Sequence, residues 1–312
     1  MAGASIEVRE LTRRFGDLTA VDRVSFEVPQ GGLFGLVGPD GAGKTTMLRM
    51  LAGVLRPDSG DAVLDGCSAV TDPEGVKRSI AYMPQRFGLY TDLTVRENIE
   101  FYADLFRVPR GERAKRRERL YQFSRLGPFE QRRAGQLSGG MKQKLGLCCA
   151  LIHQPRILLL DEPTFGVDPI SRRDLWLILH QMVAEGVTAL LSTAYLDEAE
   201  RCDEVALLNH GRIMARDTPA NLQAGLKTEM VDVVVPDPRR AVQILEQLPQ
   251  VRRASLFGDR VHVSVERRER DWPPARAALE QAGVVVSSDR PLAPSLEDVF
   301  IERVSRESNA AA

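Results

Sequence analysis

An α/β domain followed by a smaller α+β domain is the fold class the sequence predicts, on three observations. Short, wholly apolar runs at Leu33–Val37 and 157–160 have the pattern of strands buried on both faces. Helix-like segments alternate with these runs over the first two-thirds of the chain. Beyond about residue 223 the texture becomes Val-rich, in the order strand, helix, two strands, helix, strand, which is a split βαβ arrangement.

Taken in order, residues 6–11 alternate apolar and polar side chains and read as a strand, and 21–28 as a second, less regular one. Pro29, Gln30, Gly31 and Gly32 turn the chain into the buried strand Leu33–Val37. A Gly-rich stretch at 38–46 leads into helical pattern at 47–54, and a turn at 57–60 precedes a short strand at 62–64. Residues 95–122 are helical and highly charged, with a break near Pro109 and Gly111. Within them, 107–119 carries seven basic side chains against Glu112 and Glu118, either a solvated helix face or a surface for anionic lipid headgroups. Helices follow at 137–152, 170–184 and 196–201, strands at 157–160 and 188–191, and a hairpin around Asn209, His210 and Gly211. These elements place a first domain at 1–222, with a helical subdomain at about 86–155. The second domain, 223–306, takes strands at 231–235, around Gly258 and Asp259, and at 284–286, with helices at 239–248, 274–281 and from Leu296. Residues 307–312 read as a disordered tail.

A net charge of -1 over 312 residues gives no sign of a nucleic-acid binder, so no direct nucleic acid is expected. The N-terminus does not read as a signal peptide, and the longest apolar runs fall far short of the roughly 20 residues that span a bilayer. Any membrane role is therefore expected to come through a partner. Cys67, Cys148, Cys149 and Cys202 lack metal-ligand spacing and read as reduced core residues.

Chemistry concentrates in two places. Gly38, Pro39, Asp40, Gly41, Ala42, Gly43, Lys44 and Thr45, followed by Thr46, match a phosphate-binding loop between a buried strand and a helix. Its glycines let backbone N–H groups converge on phosphates, Lys44 reaches the β- and γ-phosphates, and the Thr45 hydroxyl suits Mg²⁺. The second place is the apolar strand that ends in Asp161 and Glu162. Asp161 suits the metal side of a nucleotide site, and Glu162 suits a base that orients an attacking water.

Beside these, Leu137, Ser138, Gly139, Gly140 and Met141 resemble the signature motif of ABC ATPases. With Gln85 and the run Asp161, Glu162, Pro163, Thr164, the resemblance extends in order from about residue 6 to 219. Residues 165–169 and the closing 294–300 resemble the subunits that serve ABC-2 type exporters, including drug and polyketide efflux systems. The resemblance implies the P-loop ABC ATPase fold and ATP with Mg²⁺ as ligands. It also implies a homodimer or heterodimer of ATPase domains, in which Ser138, Gly139 and Gly140 grip the nucleotide held by Lys44 of the other chain. Gln85 would sense Mg²⁺ and water, Asp168 would communicate across the dimer, and Phe15 would either stack on adenine or serve as a core residue. A membrane-spanning permease would dock near 85–106, placing the chain at the cytoplasmic face of the cell membrane.

One position departs from the family pattern. Where the family has a histidine, this sequence has Ala194, which offers no side-chain hydrogen bond to a phosphate or water. Either Glu162 suffices, or turnover is slow and leans on a partner with a complete site, or ATP binding acts mainly as a switch. A soluble ABC protein acting on ribosomes or nucleic acid is the competing class, although such proteins more often carry two cassettes. This chain has a single phosphate loop.

Overall fold

The computed structural model describes residues 4–86 and 88–311, with side chains described as far as Val304. Two long strands open the chain, β1 (Ala4–Phe15) and β2 (Leu18–Pro29), paired antiparallel. Their alternation buries Ile6, Val8 and Leu11 on one strand and Val24, Phe26 and Val28 on the other. The turn after β2 feeds β3 (Leu33–Val37), buried throughout, and then α1 (Lys44–Leu51). With β4 (Ser59–Leu64) and β5 (Cys67–Ser68), the first strands complete a four-stranded antiparallel sheet, order β2-β1-β4-β5.

Asp72 caps α2 (Pro73–Ser79), which leads directly into β6 (Ile80–Met83). The sequence reading missed both elements, because a seven-residue helix and a four-residue strand are too short to establish a period. Helices α3 (Val95–Leu105), α4 (Arg110–Ser124) and α5 (Gly139–Leu151) then form the helical part, and a capping box of Thr94 and Glu97 fixes the start of α3. On α4, Arg113 pairs with Glu100 and Asp104, Arg116 with Glu112, Arg117 with Glu100 and Arg119 with Glu185. Such local neutralisation favours a solvated helix face over a lipid-binding one.

The chain returns through β7 (Ile157–Asp161), α6 (Pro169–Ala184), β8 (Thr188–Thr193), α7 (Leu196–Ala199), β9 (Glu204–Asn209) and β10 (Arg212–Asp217). These strands join β3 and β6 in a six-stranded sheet, order β10-β9-β3-β8-β7-β6, parallel except for β10. The main core joins both sheets to α1. Phe26 of β2 stacks on Phe34 of β3 with ring centroids 5.1 Å apart, and Met47, Leu48 and Leu51 of α1 belong to the same cluster.

The compact units are Met1–Thr218 and Pro219–Ala312. The division thus falls before the 222–223 boundary the sequence predicts, because Pro219 opens a short helix, α8 (Pro219–Ala224), that belongs to the second unit. That unit continues through β11 (Glu229–Val234), α9 (Pro238–Leu245), β12 (Val251–Phe257), β13 (Arg260–Val265), α10 (Arg268–Gln281), β14 (Ser288–Leu292) and α11 (Leu296–Ala311). Its antiparallel sheet runs β12-β13-β11-β14. Val231, Val233, Val261 and Val263 form one core with Ala241 and Leu245 of α9 and Trp272 and Leu279 of α10. Asp232, 2% exposed, accepts hydrogen bonds from Arg260 and Arg290 at 2.6 and 2.9 Å. Burial pushes its carboxyl up, but the two guanidiniums outweigh it and hold the pKa below the ordinary carboxylate value.

Three expectations for this unit are corrected. Val284 and Val286 are buried in a loop rather than a strand, and the edge strand is β14, where Pro291 is tolerated. Helix α10 starts before Pro273 and Pro274 rather than at them. Helix α11 continues through Ala311 instead of giving way to disorder at 307, since 305–311 contains no Gly or Pro, and Ala312 lies outside the described residues.

Phe34 ties the two sheets of the first unit into one core. Phe34→Ala is expected to destabilise the protein by about 3–5 kcal/mol, measured as a lowered midpoint of denaturant unfolding.

Candidate functional site

Four strands of the parallel sheet end on one side of that sheet, and each leads there into a candidate site residue or polar group. Gly38 follows β3, Gln85 follows β6, Asp161 ends β7 with Glu162 after it, and Ser192 and Thr193 end β8. Open parallel sheets bind ligands at these carboxyl ends.

The loop from Gly38 to Gly43 turns tightly into α1, with Pro39, Asp40 and Gly41 at its exposed crest and Ala42 buried beneath. Gly43 is required there. Its φ is +108°, and a Cβ would stand 2.3 Å from the Ala20 carbonyl oxygen. Lys44 and Thr45 open the helix with Thr46 behind them. The Lys44 ammonium, 4% exposed, donates to the carbonyls of Gly38 and Pro39 at 2.8 and 3.0 Å and pairs with Glu162 Oε1 at 3.1 Å. Three donors therefore meet three acceptors, as a buried cation requires.

The two acids point in different directions. Asp161 Oδ1 accepts from the hydroxyls of Thr45 at 3.0 Å and Ser192 at 2.7 Å. Glu162 sits at φ +48°, a left-handed conformation that is costly for a residue with a side chain. Its N–H donates to Ser192 Oγ at 3.0 Å, which pins the turned backbone. Gln85 Nε2 donates to Glu162 Oε2 at 3.0 Å, so one carboxylate is held by Lys44 on one oxygen and Gln85 on the other. The residues Lys44, Thr45, Gln85, Asp161 and Glu162, separated widely in sequence, thus form one connected group.

A second group stands apart from it. Ser138, exposed, caps α5 by accepting from Met141 N at 3.3 Å, with Gly139 exposed beside it. Gly140 packs against the start of α6, where a Cβ would fall 2.2 Å from Ser171 Oγ, so only glycine fits. Asp168 caps that same helix, accepting from Ser171 N at 2.9 Å, and this backbone hydrogen bond holds its carboxyl below the ordinary value. Among the described residues no hydrogen bond joins this second group to Lys44. Phe15 belongs to neither group. It is 47% exposed, with the Arg13 guanidinium 4.9 Å from its ring centroid, which excludes the core role. Ala194 is exposed directly after Thr193.

Sequence reasoning gives no role to Ser192, Thr193 or Glu198, and names Thr164 only within the run that follows Asp161. The signal for Ser192 and Thr193 is a pair of polar residues closing the apolar run 188–191, the same pattern that singles out Asp161 and Glu162 after 157–160. The strand expected at 188–191 extends two residues further, to Thr193, in β8.

Comparison with known proteins agrees with this geometry. A family model described as "ABC transporter" matches residues 21–165. The probable multidrug ABC transporter ATP-binding protein YbhF of Escherichia coli (strain K12) is 43% identical over 306 residues, 97% of this chain and 52% of that protein. The chain thus spans about half the length of YbhF. The Nod factor export ATP-binding protein I of Burkholderia thailandensis is 35% identical over 310 residues, 98% of this chain and 99% of its own length. Among solved structures, an ATP-binding subunit of an ABC transporter superposes with a TM-score of 0.65 at 31% identity, covering 70% of this chain and 92% of that one. The ATP-binding cassette MJ0796, in a dimeric post-hydrolysis state with ADP and phosphate, shares the fold at 24% identity, with a TM-score of 0.62 over 68% of this chain and 98% of its own. The phosphate loop, the paired acids and a relative matched along its whole length lead to one conclusion: the chain belongs to the ABC transporter family of ATP-binding proteins.

Proposed function

We propose that the chain binds and hydrolyses ATP to drive export through a separate membrane-spanning ABC-2 type permease. The observation that carries this reading is the connected group of Lys44, Glu162 and Gln85 beside Thr45 and Asp161. Its lysine and the glycine-rich loop at a helix start have the chemistry that binds phosphate oxygens. A phosphate that draws on Lys44 competes with Glu162 for the same ammonium, leaving that carboxylate to accept a proton from water. Gln85 holds the far oxygen of Glu162 and so fixes the direction of that acceptance.

The Thr45 hydroxyl, the Asp161 carboxylate and the amide oxygen of Gln85 are hard oxygen donors, which fit Mg²⁺. Among the described residues no cluster of three His, Cys, Asp or Glu side chains is placed to hold a metal ion. Mg²⁺ bound with the nucleotide, by few protein ligands, suits such a donor set and would neutralise phosphate charge.

Ser138 and Gly139 form an exposed helix start that bonds to nothing in the Lys44 group of the same chain. In our reading they serve the nucleotide of a second ATPase domain, identical or related, in a head-to-tail dimer. Beyond Gln85, the exposed Tyr90, Phe101, Leu105 and Phe106 offer an apolar surface suited to the permease. Among the described residues no helix is long and apolar enough to cross a membrane. In our reading the chain attaches peripherally, through the permease, at the cytoplasmic face. Ala194 leaves Glu162 without the imidazole usual in the family, so slow turnover belongs to this reading.

Lys44→Ala removes charge-assisted hydrogen bonds of about 1.5–3 kcal/mol. Mg-ATP affinity is expected to fall about 10- to 100-fold in a binding titration, with turnover abolished. Unchanged affinity and turnover would contradict the site. Glu162→Gln keeps the shape but loses the base, and is expected to accumulate an ATP-bound dimer by light scattering. A variant that stays monomeric with ATP and hydrolyses like the wild type excludes the base role.

A further inference from the structure

We infer that Glu198 is a positioning residue for hydrolysis, locking the loops that carry Glu162 and Ala194 into one unit. The inference rests on the reading of the site as an ATPase. Glu198 lies on α7, which is too short to hold position alone, and is only 1% exposed. Its Oε1 accepts from the Thr164 hydroxyl at 2.6 Å and its Oε2 from the Thr193 hydroxyl at 2.9 Å. Arg172 Nε stands 3.5 Å from Oε1 and supplies the countercharge.

Each of these partners borders a working part of the site. Thr164 follows Glu162 by two residues in a tight turn, in which Phe165 N donates to the Glu162 carbonyl at 3.1 Å. Thr193 immediately precedes Ala194, its carbonyl accepts from Gly38 N at 3.2 Å, and its hydroxyl also accepts from Tyr195 N at 3.0 Å. Arg172 lies one turn beyond Asp168 on α6, with its N–H bonded to the Asp168 carbonyl at 2.9 Å, and its guanidinium lies 4.7 Å from the centroid of the Tyr195 ring. One buried carboxylate therefore ties together the ends of β7 and β8 and the start of α6.

A carboxylate so placed is costly to desolvate and is stable only because these donors surround it. Its hydrogen bonds also counter the strain at Glu162, whose left-handed backbone would relax if the following loop moved. Because the Ala194 side chain offers no hydrogen bond, the placement of Glu162 depends more heavily on this support. Among the described residues no hydrogen bond or ion pair joins Glu198 to Lys44 or Glu162, so its effect passes through Thr164 and Thr193.

The test compares wild type with Glu198→Gln, Thr164→Val and Thr164→Ser in the full chain, reading Mg-ATP hydrolysis, ATP affinity and thermal unfolding. A displacement of the base predicts kcat about 10- to 100-fold lower in Glu198→Gln and Thr164→Val. KM and affinity should stay within about twofold, and Thr164→Ser, which keeps the hydroxyl, should retain near wild-type kcat. The double variant Glu198→Gln with Thr164→Val should be no slower than the slower single variant, since both break one chain of contacts. Wild-type kcat in Glu198→Gln overturns the inference, as does a parallel loss of affinity and folding in both Glu198→Gln and Thr164→Val. Wild-type hydrolysis no greater than that of Glu162→Gln instead overturns the ATPase reading, and the inference with it.

Discussion

A lysine ammonium buried to 4% exposure constrains everything around it. Its three donors must all be met, because an unpaired buried charge costs several kcal/mol. Lys44 meets that demand with two carbonyls of its own loop and one carboxylate from β7. The loop must therefore fold the carbonyls of Gly38 and Pro39 inward toward that ammonium. Gly43, at a φ that strains any other residue, makes that turn. The sheet order is compatible with that pairing, since β7 lies one strand removed from β3 with β8 between them.

The intervening strand β8 turns out to be as important as the two that flank it. Ser192 at its end accepts the Glu162 N–H and donates to Asp161, so one hydroxyl sets both acids. Thr193 continues the same edge toward Gly38 and Glu198. The polar groups are not scattered over a surface. They form a chain of hydrogen bonds across four strand ends, in which Lys44, Gln85 and the hydroxyls of Thr45 and Ser192 donate and the carboxylates of Asp161 and Glu162 accept. Such networks are stable only when every member is satisfied.

Local pattern carried much of this into the sequence. The phosphate loop and the run into Asp161 and Glu162 are contiguous, so glycine spacing and apolar runs reveal them before any folding is considered. Gln85 and Ser138 came only from a family resemblance, because nothing in their immediate neighbours marks them as polar groups of a site. Glu198 was hidden for another reason: a Glu in a charged helical stretch reads as surface, and only tertiary packing turns it inward. The edge strand Ser288–Leu292 was missed because its residues are polar while the neighbouring Val284 and Val286 look like a strand and are buried as loop. Burial and strand pairing are separate properties, and composition reports the first.

Ala194 gives the account its sharpest exposure, since the network around Glu162 must do without an imidazole. The most direct measurement is steady-state Mg-ATP hydrolysis by the purified chain beside its Glu162→Gln variant. Hydrolysis by the wild type that disappears in the variant is the predicted result, showing that Lys44, Gln85 and Ser192 hold a working base. Equal rates in the two proteins would contradict it and leave the chain as an ATP-binding switch.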